Sequence, residues 1–220
     1  GLIKDVIYVD VHADRESFGP IARKIARLRP DVVFSTVVGV PTAYFYEACA
    51  EHGIDGRRTP IASLTTSEAE LALMAPSAIV GHVTSAPYFD SIETPANRRF
   101  RQSLRRRFGE GAVANMSAEA AYFQVHLFAQ ALREVGSVDP DVLGPALLRL
   151  RFEAPQGEVT IDPDNNHTYL WPRIARVQEN GRFAVAVDAL GPVKPDPYLV
   201  NYRRPFFAPG HGSGLVELRS

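Results

Sequence analysis

The sequence predicts an α/β protein built on a doubly wound, parallel sheet. Three observations carry that expectation. Short apolar runs alternate with amphipathic helical stretches through the first 86 residues, the pattern of repeated strand–helix units. The apolar runs are continuous, as strands buried on both faces require. The polar turns that close them lead straight into helix-start signals. With 220 residues, 45% of them hydrophobic and 22% charged, the chain has ordinary globular composition and enough length for a sizeable core.

Taken in order, Gly1 to Asp10 reads as a turn entering a strand at Val6–Val9. Gly1 is not a natural initiator, so the sequence reads as a piece of a longer protein. A helix follows from about Ser17, with Ile21, Ala22, Ile25, Ala26 and Leu28 as its apolar stripe, and Pro30 stops it. Val32–Phe34 is a buried strand. Pro41 opens a helix through Tyr44, Phe45 and Cys49 that closes at Gly53. Ile61–Leu64 is the next strand and Ser67–Met74 the next helix, with Ser67 and Glu70 in capping-box spacing. Ala78–Val83 reads as a further strand.

The middle third is helical. Thr94-Pro95 caps a helix that ends at Gly109. Ser117 caps a longer one through Tyr122, Val125, Phe128 and Leu132, ending near Gly136. Asp139-Pro140 opens a third that runs to about Leu150. Three successive helices predict cover for a sheet supplied elsewhere. After Pro155 the pattern turns to β: a strand at Glu158–Ile161, turn residues Asp162–Asn166, and a hairpin of Ile174–Val177 and Phe183–Val187 joined at Asn180-Gly181. From Gly191 to Ser220 an extended, partly disordered tail is expected.

Composition removes several function classes. A formal net charge of -1 gives no bulk reason to bind nucleic acid or an anionic membrane, and no apolar run reaches membrane-spanning length. The arginines at 98, 99, 101, 105, 106 and 107 lie opposite the stripe of Phe100, Leu104 and Phe108, so they read as a solvated helix face. Cys49 sits in an apolar helix and reads as a packed thiol. The six histidines lack metal-ligand spacing. Asp162–Asn166 has His167 where a calcium loop needs glycine, and Gly210–Gly214 has neither the strand nor the helix of a nucleophile elbow. No cofactor, metal or catalytic set is therefore expected.

The informative stretch is Ile61–Glu70. Thr65 and Thr66 stand at the carboxyl end of a strand, where open α/β sheets bind ligands. Their hydroxyls donate and accept, which suits a small neutral molecule such as an amide or urea, because an unpaired charge is costly to bury. The same hydroxyls also fit a pure capping role, and the residues leave both readings open. Val38, Gly39 and Val40 form the equivalent turn after Val32–Phe34, with Gly39 permitting close backbone approach. Tyr88, after the strand ending at Val83, offers a ring and a polar handle.

At these residues the chain resembles the type I periplasmic binding proteins, in their short-chain amide and urea branch. The matching segments are Asp31–Gly39, Ile61–Glu70, Pro87–Pro95, Ala118–Tyr122, Ala154–Gly157, Asn165–His167 and Lys194–Tyr198. The resemblance implies two doubly wound, Rossmann-like lobes joined by three crossovers, with the N-terminal part missing from this chain. Residues 1–86 would form most of the second lobe, 87–166 the returning part of the first, and 167–190 the return to the second. It implies a ligand-contacting role for Thr65 and pocket wall at Val38 and Val40. It implies a non-catalytic protein that closes on a small amide or urea and signals to an antiterminator-type regulator in the cytoplasm. The alternative is the substrate-binding subunit of an amide, urea or amino-acid ABC importer in the periplasm, docking on a permease. A homo-oligomer stays open, as do two rivals of lesser weight: an amidase-type hydrolase and a lobed DNA-binding repressor.

Overall fold

The computed structural model describes residues 2–197. Among these, five strands form one mixed sheet in the order β1 (Val33–Ser35), β2 (Ile61–Ser63), β3 (Val83–Ala86), β6 (Arg173–Val177) and β7 (Phe183–Val187). A separate antiparallel ladder joins β4 (Arg151–Ala154) to β5 (Gly157–Thr160). The first three strands are parallel, with Val33 opposite Ile61 and Ser63 opposite Thr84. The β6–β7 hairpin adds antiparallel to β3, so the sheet is mixed where a parallel one was expected. A two-stranded hairpin carries its own return turn and needs no crossover helix.

Helix α1 (Arg15–Leu28) leads into β1, α2 (Val40–Glu51) connects β1 to β2, and α3 (Glu68–Leu71) and α4 (Pro76–Ile79) connect β2 to β3. Local chemistry sets their ends. The Asp14 side chain accepts from Ser17 N to start α1, and Arg29, in the left-handed region, closes it on Ile25 O one residue before Pro30. Ser67 and Glu70 make both halves of the capping box. Further on, α5 (Pro95–Phe108) starts with Thr94 accepting from Asn97 N. Helix α6 (Met116–Val135) starts earlier than expected, because Asn115 rather than Ser117 reaches the first-turn amide, at Ala118. Asp139 caps α7 (Pro140–Leu147).

Two apolar cores result. One lies around the five-stranded sheet and α1–α5, with Phe18, Phe45, Tyr46, Ile61, Phe89 and Phe183 among its members. The other lies between α6, α7 and the β4–β5 ladder, around Phe123, Leu127, Leu143 and Val159. The three helices of the middle third are therefore not only cover for a distant sheet.

Two expected elements differ, and one strand forms that was not expected. Val6–Val9 is not a strand. It runs beside β1 without a ladder partner, held by Lys4 Nζ donating to Leu28 O and Arg29 O, both at 2.8 Å, and by the Lys24–Asp5 ion pair. A cleft of about 690 Å³, bounded by 2–11 and 31–38, separates the two segments, and Phe34 is 65% exposed. A strand forms only where its N–H and C=O groups meet a neighbour.

Ala78–Val83 also changes. Pro76 opens α4 through Ile79, and the chain turns at Gly81 before β3 begins. A Cβ on Gly56 would stand 2.4 Å from Val80 O, so two backbones meet there and the apolar run cannot continue straight into a strand. Finally, Arg151–Ala154 is a strand that the apolar pattern did not reveal, paired to β5 through the Pro155-Gln156 turn. The stretch after Gly191 is tied down: Val193 N bonds Leu170 O at 2.8 Å and Lys194 pairs with Asp162 and Asp164. The rest of the expected tail, 198–220 with Gly210–Gly214, lies outside the described residues. Among the described residues no helix is long and apolar enough to cross a membrane.

His82 braces the centre of the sheet. It is 2% exposed, its Nδ1 accepts from Ile61 N at 2.9 Å, and its ring meets Tyr46 edge-on. Burial pushes its pKa down to about 4. The folded state thus favours the neutral ring, and this stabilisation is present above about pH 6.5 and lost as pH falls towards 4. The stability advantage of the wild type over His82→Gln should shrink by about 2 kcal/mol between pH 7 and pH 4.5 in urea unfolding. A difference that ignores pH would contradict this role.

Candidate ligand-binding site

Because β1, β2 and β3 run parallel and in register, the turns that follow them emerge along one edge of the sheet. The turn after β1 passes through Gly39 at φ 67° and ψ −150°, a region essentially restricted to glycine. It delivers the chain into α2 with no side-chain cap. Val40 carries the first amide of the helix, at the positive end of the helix dipole. Val38 and Val40 are 47% and 52% exposed, and Leu64, in the next turn, is 48% exposed.

A chain of hydroxyls fixes the two turns to each other. Tyr46 Oη lies 3.2 Å from Thr66 Oγ1, which donates to Ser63 Oγ at 2.9 Å. Ser63 Oγ lies 3.3 Å from Thr65 Oγ1, and Thr65 Oγ1 donates to Val37 O at 2.7 Å. Thr42 Oγ1 donates to the same carbonyl at 3.0 Å. Ser63 Oγ also accepts the Thr65 and Thr66 amides, each at 3.0 Å. The proton of Thr65 is therefore committed to Val37 O. The hydroxyl offers a ligand an acceptor but no donor. Burial pushes the Tyr46 phenol up to about 12, so this end of the chain stays neutral.

Of the six candidate residues, Val38, Gly39, Val40 and Thr65 share this rim. Thr66 does not. It is buried, and its hydroxyl is used between Ser63 and Tyr46. Nor does Tyr88, which is fully buried and edge-on to Phe100 with its hydroxyl donating to Asn97 Oδ1 at 2.8 Å. The chain turns inward at Pro87, and the ring joins the core.

Several buried or half-buried polar groups escaped the sequence reading. Glu68 accepts from Asp90 N at 2.8 Å, and burial pushes its carboxyl up to about 7. Glu119 is buried on α6, takes the Gln156 amide and side chain at 3.3 and 2.9 Å, and is likewise pushed up to about 7 by burial. Arg173 lies beside Pro87 at the start of β6. A carboxylate within an apolar helix stripe, and a charge opening an otherwise apolar strand, were the available signals.

Replacing Gly39 with alanine should cost about 1–3 kcal/mol, because a Cβ disfavours this backbone geometry. Thermal unfolding of Gly39→Ala beside a Gly19→Ala control, whose glycine lies inside α1, would read it. Equal behaviour would mean that the turn relaxes freely.

A family model described as a periplasmic binding protein domain matches residues 3–204. Leu/Ile/Val-binding protein homolog 6 of Brucella abortus is 26% identical over 154 residues, 68% of this chain and 39% of that protein. A protein named limonene hydroxylase, from Geobacillus stearothermophilus, is 26% identical over 121 residues, 55% of this chain but only 22% of its own length. Among solved structures, an ABC-transporter solute binding protein from Rhodopseudomonas palustris HaA2, in complex with p-hydroxybenzoic acid, has 26% identity and a TM-score of 0.70 over 84% of this chain and 51% of its own. A leucine-, isoleucine-, valine-, threonine- and alanine-binding protein from Brucella ovis, in a closed conformation, has 18% identity and a TM-score of 0.64 over 80% of this chain and 48% of its own. The chain thus spans well under half the length of these curated relatives and about half of these structures.

Proposed function

This chain belongs to the periplasmic binding protein domain family, and we propose that it supplies one ligand-holding wall of an ABC-type solute-binding protein, a binder rather than an enzyme. Residues 1–86 and 167–190 would form one lobe and 87–166 part of the other, closing on the ligand by a hinge. The partner would be a permease, and the location outside the cytoplasmic membrane. The transporter components among the relatives favour this over the amide-sensing regulator with its antiterminator-type partner.

The observation that carries the reading is the rim itself. The uncapped start of α2 at Gly39-Val40 suits a carboxylate or carbonyl oxygen. Val38, Val40 and Leu64 suit an apolar body. Thr65, with only an acceptor to offer, suits a ligand N–H or O–H. A small molecule combining these three features fits: a hydroxylated aromatic acid, an amino acid with an apolar side chain, or, without the charge, an amide. The Rhodopseudomonas relative holds p-hydroxybenzoic acid, and the Brucella ovis relative is a leucine-, isoleucine-, valine-, threonine- and alanine-binding protein; in both cases the ligand is a small carboxylic acid.

Thermal shift of the complete protein against p-hydroxybenzoate, leucine, acetamide and urea is the test. Ligand at 100 times Kd should add about 2.7 kcal/mol of stability. Val40→Pro removes one amide where proline suits a helix start, and it should weaken acid binding at least tenfold. An undiminished response, or none to any of the four compounds, would contradict the proposal. A response only to acetamide and urea would instead restore the neutral-ligand reading.

A further inference from the structure

The chain crosses between the five-stranded sheet and the segment 88–172, which carries α5, α6, α7 and the β4–β5 ladder, at three places. It leaves β3 at Pro87, arrives at β6 through Trp171, and leaves β7 at Asp188 on its way to the Leu170–Val193 bridge. One side chain touches all three. Arg173 is 4% exposed. Its Nη1 donates to Pro87 O at 2.7 Å and Trp171 O at 3.2 Å, and its Nε lies 2.7 Å from Asp188 Oδ1. Its Nη2 donates to Gln156 O at 2.9 Å, in the turn between β4 and β5.

Gln156 extends the contact into the second unit. It is buried, its amide and side-chain nitrogen donate to Glu119 on α6, and its Oε1 accepts from Trp171 N at 3.1 Å. The Trp171 ring packs where any Cβ on Gly157 would come within 2.6 Å of it, which holds that passage against the ladder.

A buried guanidinium is costly unless its donors are met, and its planar fork satisfies several acceptors in fixed directions at once. Here the acceptors belong to different chain passages rather than to one element. These passages are the segments that must absorb any change of angle between the two units. Three of the partners are backbone carbonyls, one buried and two half-buried, and the fourth, Asp188, is a side chain that is 56% exposed. The fork thus combines a fixed grip on the first two passages with a solvent-reachable grip on the third.

We propose that Arg173 is the pivot of the hinge: a positioning residue that holds the three passages in register while the two units rotate, with Asp188 as the arm that yields. This rests on the hinge-closing reading above and names the residue that controls it. Loosening the fork should widen the range of angles that the ligand-free protein samples, and only then change ligand affinity.

The test uses the complete protein carrying spin labels at Glu51 on α2 and Arg133 on α6, without ligand, so that it does not depend on which solute is bound. Pulsed dipolar spectroscopy of the wild type should give a narrower distance distribution than Asp188→Ala, and Arg173→Lys, which keeps the charge but loses the fork, should be broader still. Asp188→Ala should melt within a few degrees of wild type, so its distribution remains readable even if Arg173→Lys does not fold. An Asp188→Ala distribution indistinguishable from wild type would overturn the pivot. A silent thermal-shift panel alongside a broadened distribution would count against the solute-binding proposal above while supporting the pivot, which is read without ligand.

Discussion

The Thr65 hydroxyl, giving its proton to the Val37 carbonyl at 2.7 Å, is the interaction on which the candidate site depends. It joins the turn after β1 to the turn after β2, two loops that the ladder itself no longer reaches. Without it, the turn through Val38, Gly39 and Val40 would be tied to its own strand and helix, by Ser35 and Thr42, but not to the neighbouring turn. With it, the uncapped start of α2 and the apolar side chains of the rim keep a fixed spacing. The hydroxyls behind it extend the constraint to the core, because Tyr46 is anchored among Phe45 and His82. The same bond decides the chemistry on offer. A threonine whose proton is engaged can only accept, so selectivity for hydrogen donors at that point is a consequence of how the sheet edge is held together.

Much of the fold was legible because its signals are local. The capping box at Ser67 and Glu70, the Thr94-Pro95 and Asp139-Pro140 starts, the glycine stops and the Asn180-Gly181 hairpin all act through neighbouring residues, and the structure contains each of them. The misread elements depend on distant partners. Val6–Val9 has strand composition but no ladder neighbour. The run from Ala78 to Val83 is interrupted because Gly56 and Gly81 bring two backbones together, a contact invisible along the chain. Arg151–Ala154 pairs as a strand although its apolar content is slight.

The site divided in the same way. Gly39 and Thr65 were found because strand-to-helix turns at one sheet edge are written in short motifs. Thr66 and Tyr88 looked equivalent in sequence, since nothing local tells an outward hydroxyl from one that closes an internal hydrogen bond. Glu119, Gln156 and Arg173 were missed because their importance is a property of assembly: each comes from a different element, and they meet only after the chain has left the five-stranded sheet and returned to it. Their placement adds a buried polar fork to the aromatic contacts Phe100–Tyr122–Phe152 that already link the two apolar cores of the described residues.

The central claim is that the rim formed by Val38, Gly39, Val40 and Thr65 is where a solute meets this chain. Titration of the ¹⁵N-labelled complete protein with p-hydroxybenzoate, followed by amide chemical shifts, addresses it residue by residue. The account predicts the largest changes at the Gly39, Val40 and Thr65 amides, saturating together. Saturable changes that spare those three and fall instead on the cleft between Leu2–Val11 and β1 would contradict it.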